Sequence, residues 1–92
     1  MDAKVKKAVL EKIDEILSNV DEISKIQQSL DHIPVSNQDD FAFGIAIGRI
    51  YNSFHYQTRR LLKRNATEDE FAEFLRILAN QADKIRKAQK QQ

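Results

Sequence analysis

Eight consecutive residues near the middle of the chain, FAFGIAIG at positions 41–48, carry no polar side chain. On a helical wheel these apolar or small residues point to every side, and a helix without a polar face is normally buried all round. The run is far shorter than the roughly 20 apolar residues that a membrane-spanning helix needs. The chain must therefore cover this segment with its own helices or with a partner.

The rest of the chain has the composition of a helical protein. Of its 92 residues, 41% are hydrophobic and 32% are charged, with two glycines and a single proline. This predicts the all-α class and one helical domain over residues 1–92. Cysteine is absent, which rules out disulfides and thiolate metal sites. The first residues lack the apolar core of a signal peptide, so we expect a soluble, cytoplasmic protein with no membrane association.

A heptad pattern of apolar residues predicts the first helix, over about residues 3–32. Its seam consists of Val9, Ile13, Ile16, Val20, Ile23 and Leu30. Ser18 and Asn19 are the weakest helix formers near its middle and could mark a bend. Pro34 ends the helix, because proline lacks an amide donor and pushes the preceding residue out of the helical region.

Two further helices follow, over about residues 38–64 and 68–88. The loop before the second is short, so the first two helices should be antiparallel neighbours. Thr67 and Glu70 form a capping box that begins the third helix, and the final AQKQQ should fray because it has no apolar anchor. The fold class that we predict is an antiparallel three-helix bundle, a long hairpin plus a third helix, completed by oligomerisation.

The predicted oligomer interface lies in the apolar part of the second helix. Gly44 and Gly48 are one turn apart, a spacing that lets another helix approach closely. Small residues also serve helix crossings within one chain. We favour contact between chains, because the first and third helices can cover only two sides of the second. The residues assigned to a homodimer, or to a foreign protein partner, are Phe41, Gly44, Ile45 and Gly48.

The basic half of the second helix gives an alternative function. Bases on one helical face could contact phosphates, and a tyrosine could stack on a nucleobase. The residues of this alternative nucleic-acid face are Arg49, Tyr56, Arg60, Lys63 and Arg64. We expect these bases instead to be solvated or paired with acids, because residues 59–64 should lie beside Glu11, Asp14 and Glu15 and at the same end as Glu68, Glu70 and Glu73. The sequence pI of about 8.0 is low for a nucleic-acid-binding domain.

Chemistry at a metal or cofactor has little support in the sequence. His32 and His55 are the two histidines, and neither has a second ligand three or four residues away. We therefore predict no metal, no cofactor and no catalytic residue. A further alternative is a bundle that binds a small molecule near Phe41, Phe43 and Phe54. The function predicted first is a non-enzymatic interaction module that self-associates through the second helix.

Overall fold

The computed structural model of the chain describes residues 1–90, and all regular secondary structure in that range is helical. The helices are α1 (Ala3–Ser18), α2 (Val20–Ser29), α3 (Gln38–Leu62) and α4 (Glu68–Lys90). The predicted all-α class is confirmed. The helices pack into a body of 40 × 23 × 20 Å, in which α3 contacts each of the other three.

The first predicted helix, over about residues 3–32, is interrupted at the position that Ser18 and Asn19 marked as a possible bend, and its second part ends at Ser29. Asn19 lies between α1 and α2 with φ −131° and ψ 60°, outside the helical region. Serine and asparagine side chains compete with the backbone for hydrogen bonds, which makes Ser18 and Asn19 weak points. Residues 1–90 therefore contain four helices where three were predicted.

The seam of the first predicted helix continues across this break, so α1 and α2 together line one side of α3. Its fully buried members are Val9, Ile13, Ile16 and Ile23, each at most 2% exposed. Arg49 of α3 spans the break, with ion pairs to Glu15 of α1 (3.6 Å) and to Glu22 of α2 (3.2 Å). The two short helices are thereby held against the same partner.

Local backbone chemistry sets both ends of α3. At its start, the Asn37 side chain accepts a hydrogen bond from the Asp40 amide (2.9 Å), as expected of an N-cap. The helix ends at Leu62, two residues before the predicted end, because Lys63 takes the left-handed conformation with φ 60°. The predicted boundary at residue 64 is corrected accordingly.

The capping box predicted for the last helix is present at the start of α4. The Glu70 amide donates to the Thr67 hydroxyl (3.2 Å), and the Thr67 amide donates to the Glu70 carboxylate (2.8 Å). The predicted fraying is wrong for residues 88–90, which are helical, because Gln89 is only 3% exposed and fixes this end in the fold. Gln91 and Gln92 lie outside the described residues.

Two stacked aromatic rings join α3 to α4 in the core. Phe54 and Phe74 have ring centroids 4.3 Å apart and an interplanar angle of 9°. At the other end of the same pair of helices, Arg86 forms an ion pair with Asp40 (2.8 Å) and lies over the ring of Phe43 at 4.2 Å. The early part of α4 therefore contacts the middle of α3, and the late part of α4 contacts its start, which makes these helices antiparallel.

Candidate functional site

The four small residues of the apolar run divide between the inside and the outside of the fold. Ala42 and Ala46 are 2% and 0% exposed, and they form the surface on which the neighbouring helices pack. Gly44 and Gly48 are exposed, and a Cβ atom built on either would meet no atom within 4 Å. The alanines therefore allow close packing within the chain, whereas no contact among residues 1–90 requires the glycines.

The two remaining residues of the predicted interface lie beside the glycines and are half-buried. Ile45 packs partly against the core, while Phe41 lies at the start of the helix. The structure thus brings Phe41, Gly44, Ile45 and Gly48 to one side of α3, at positions i, i+3, i+4 and i+7. Neighbouring helices cover the other sides of the apolar run, and this side is left open.

This open side extends toward the end of α3 and forms what we call the outer strip. Its residues recur at helical spacing over about 21 Å of the helix, and none of them is Asp, Glu, Lys or Arg. The outer strip consists of Phe41, Gly44, Ile45, Gly48, Tyr51, Asn52 and His55. An uncharged strip of this length is unusual on the exposed side of a helix in a chain that is 32% charged.

Aromatic and aliphatic side chains extend the outer strip onto α4. Tyr51, Phe71 and Leu75 are 48%, 40% and 44% exposed, and the rings of Tyr51 and Phe71 meet edge to face with centroids 6.2 Å apart. Sequence reasoning did not assign these three residues to a site. The signal in the sequence was the width of the apolar stripe on α4. Phe71, Phe74 and Leu75 lie on one face, and together they form a stripe wider than one neighbouring helix can cover.

A shallow groove of about 280 Å³ lies where α3 turns into α4. Tyr51, Phe54 and Phe71 form its apolar wall, and His55 and Glu68 are among its polar residues. Of the three phenylalanines predicted to hold a small molecule, only Phe54 lines this groove. Phe41 and Phe43 lie nearer the start of α3 and are not among the residues that line it. The structure therefore does not bring that set together.

Two of the bases in the predicted nucleic-acid face form ion pairs within the fold. Arg49 contacts Glu15 and Glu22, and Arg64 donates to Glu70 at 2.7 Å. The pair of Arg64 with Glu70 is one that the sequence suggested, whereas the two partners of Arg49 were not predicted.

The other residues of that face remain at the surface. Arg60 donates to the Gln57 side chain (3.0 Å), and Tyr56 is 56% exposed. Within residues 1–90, Arg60 and Lys63 have no carboxylate partner, and the same holds for their neighbour Arg59. Tyr56, Arg59 and Arg60 line a second groove of about 450 Å³ with Asn52 and His55.

Two carboxylates near the start of α4 are electrostatically perturbed. The Arg64 guanidinium, bound to both carboxylate oxygens at 2.7 and 3.2 Å, and the Thr67 amide lower the pKa of Glu70 to about 2. The hydrogen bonds between Arg64 and Glu70 also raise the pKa of the Arg64 guanidinium. The amino group of Met1, 2.7 Å from Glu73, lowers the pKa of that carboxylate. Both glutamates make charged contacts within the fold.

The described part of the chain holds no group of three His, Cys, Asp or Glu residues that could bind a metal ion. None of the helices in this part is both long enough and apolar enough to cross a membrane. His55 stacks against Tyr51 with ring centroids 6.4 Å apart, and His32 is exposed in the turn after α2.

Comparison with known proteins gives no match to a family model, to a curated protein or to a solved structure.

Proposed function

We propose that this chain is a non-enzymatic interaction module whose partner is a second copy of itself, bound through the outer strip of α3. The observation that carries the proposal is the environment of Gly44 and Gly48. A glycine inside a helix lowers its stability by roughly 0.5–1 kcal/mol relative to alanine. Packing among the described residues needs neither glycine, so close approach of another helix is a use that explains both.

The surroundings of the glycines support this proposal. The exposed uncharged strip contains Tyr51 and is flanked by Phe71 and Leu75 of α4, which gives it the aromatic, charge-depleted character of interface centres. An isologous dimer would cover this surface on both copies with a single contact. A cytoplasmic location belongs to the same proposal, because a chain without cysteine suits a reducing compartment.

Sedimentation equilibrium of the wild type and of Gly48→Leu tests the proposal. We expect the wild type to form a dimer and the variant to dissociate about tenfold more readily, because overpacking a close contact costs about 1–3 kcal/mol. The monomer should fold as stably as before, since the position is open and leucine is the better helix former.

Asn80→Leu is the matched control, because it also adds a leucine to an exposed, uncharged helix position, on α4. It should leave the association constant of the dimer unchanged. A wild type that remains monomeric at high micromolar concentration would contradict the proposal. So would a Gly48→Leu variant that dimerises as tightly as the wild type.

A second candidate function is binding of nucleic acid through the basic end of α3. It is favoured by one observation, that Arg59, Arg60 and Lys63 have no carboxylate partner within residues 1–90 and lie beside the exposed ring of Tyr56. Titration with mixed-sequence nucleic acid at low salt should then give binding that weakens steeply as salt rises. Arg60→Gln should reduce that binding, whereas Arg49→Gln should change it less, since Arg49 is held by two glutamates. Equal effects of the two substitutions would remove this candidate.

A further inference from the structure

A third groove, of about 260 Å³, continues the basic end of α3 onto α1. Arg60 lines this groove together with Lys4 and Lys7, and it also lines the second groove beside Tyr56. We propose, on the basis of the second candidate function, that the two grooves form one binding surface for single-stranded nucleic acid, in which the two lysines of α1 contact phosphates. This basic surface consists of Lys4, Lys7, Tyr56, Arg59 and Arg60.

The bases of this surface are not neutralised within the fold. Lys4, Arg59 and Arg60 have no ion pair among residues 1–90. Lys7 meets Glu11 at 3.9 Å, but both side chains are largely exposed, and such a pair contributes little. From the sequence we expected the end of α3 to lie beside acids of α1, whereas the structure adds two lysines and one acid to the groove beside Arg60. This excess of positive charge attracts a polyanion.

Tyr56 gives the basic surface a place on which a nucleobase can stack. Its ring is 56% exposed, the highest value among the large hydrophobic side chains of residues 1–90, and it contacts no other ring in that range. Arg59 and Arg60 follow it by three and four residues, so they lie one turn along the same side of α3. Bases in a duplex stack on one another, so a free ring beside positive charges favours a single strand.

The third groove is separate from the surface that we assign to self-association. None of the residues that line it belongs to the outer strip, because Lys4, Lys7 and Arg60 lie where α1 meets α3. A dimer formed through the outer strip would therefore leave this groove exposed on each copy.

Fluorescence anisotropy tests the proposal with a labelled single strand of mixed sequence, about 12 nucleotides long to match known single-strand sites. The variant is Lys4→Gln/Lys7→Gln, with both changes at exposed positions. Each phosphate contact with a single strand contributes roughly 0.7 to the slope of log affinity against log salt concentration. Loss of two contacts should therefore make this slope shallower by about 1.4 and should weaken binding most at low salt.

Lys84→Gln/Lys87→Gln is the matched control, because it removes two exposed lysines at the same spacing from α4. This part of α4 lies beside the start of α3, as the ion pair of Arg86 with Asp40 shows. Asp40 is about 30 Å from Arg60 along α3, well beyond the distance at which salt screens exposed charges. The control should therefore have the slope of the wild type.

Tyr56→Leu tests the class of nucleic acid. It should weaken binding of the single strand at least about fivefold with little change in the salt slope, whereas Tyr56→Phe, which keeps the ring, should bind as the wild type does. A duplex of the same sequence should bind more weakly than the single strand and should not respond to Tyr56→Leu. A duplex that binds more tightly, or a single strand that binds equally well to Tyr56→Leu, would overturn the assignment to single strands.

The salt slopes separate this inference from the function on which it rests. A wild type that binds neither probe at low salt would remove the second candidate function and this inference together. Binding by the wild type with an unchanged slope in Lys4→Gln/Lys7→Gln would overturn the role of α1 and keep a site confined to α3. Equal losses in this variant and in Lys84→Gln/Lys87→Gln would reflect total charge alone and would also overturn it.

Discussion

Single aromatic residues have different roles in this fold, according to which side of α4 they occupy. Phe74 is fully buried and stacked on Phe54, while Phe71, three residues earlier, is 40% exposed beside Tyr51. Both belong to the same apolar stripe in the sequence. One ring stabilises the monomer, and the other is available to a partner.

Alanine substitutions at these two positions should separate stability from association. We expect Phe74→Ala to lower the free energy of unfolding by about 3–5 kcal/mol, because it empties a buried site. Phe71→Ala should cost only about 1 kcal/mol and should weaken dimerisation. Urea unfolding at low protein concentration measures the first effect, and sedimentation measures the second. Similar losses of stability in the two variants would mean that Phe71 belongs to the core.

At the scale of the elements, the break at Asn19 marks the limit of what an apolar pattern can predict. The spacing of Ile16, Val20 and Ile23 is correct for one helix, and the first and last of these are buried. Such spacing records which side of the chain is buried, and it does not record whether the backbone hydrogen bonds continue. Capping signals act on the backbone directly, and for this reason Thr67 and Glu70 predicted the start of α4 correctly.

The ion pair at the start of α4 predicts how stability should depend on pH. Because Arg64 and Thr67 lower the pKa of Glu70 to about 2 in the folded state, the carboxylate stabilises the fold above the unfolded pKa of about 4.3. That contribution is lost as the pH falls from about 4.5 toward 2. Glu70→Gln retains an acceptor for the Thr67 amide but removes the charge, so it isolates the electrostatic part.

Chemical unfolding of the wild type and Glu70→Gln across this pH range measures the effect. The wild type should be the more stable protein at pH 7, by a modest amount because Arg64 is half exposed. The difference should shrink below about pH 4.5. Glu68→Gln is the control, since Glu68 has no ion pair within residues 1–90. A difference between wild type and Glu70→Gln that stays constant with pH would contradict the assignment.

At the scale of the whole molecule, the position of α3 between the other helices explains why the candidate site could be predicted only in part. The run at residues 41–48 is apolar on all sides, so the sequence could not tell which small residues would face inward. In the structure the neighbouring helices pack against Ala42 and Ala46, and Gly44 and Gly48 lie on the exposed side of α3. Tyr51 and Leu75 were missed for a related reason, since their exposure depends on where the neighbouring helix passes.

The exposure of Tyr51 gives this protein a built-in optical probe. The chain has no tryptophan and only two tyrosines, Tyr51 in the outer strip and Tyr56 one turn further on. Near-ultraviolet emission therefore comes chiefly from these two rings, and Tyr56→Phe would leave Tyr51 as the main emitter. In a dimer that ring would be buried against the second copy, and dilution would expose it again. Its emission would therefore change as the dimer dissociates, and assembly could be followed without an added label.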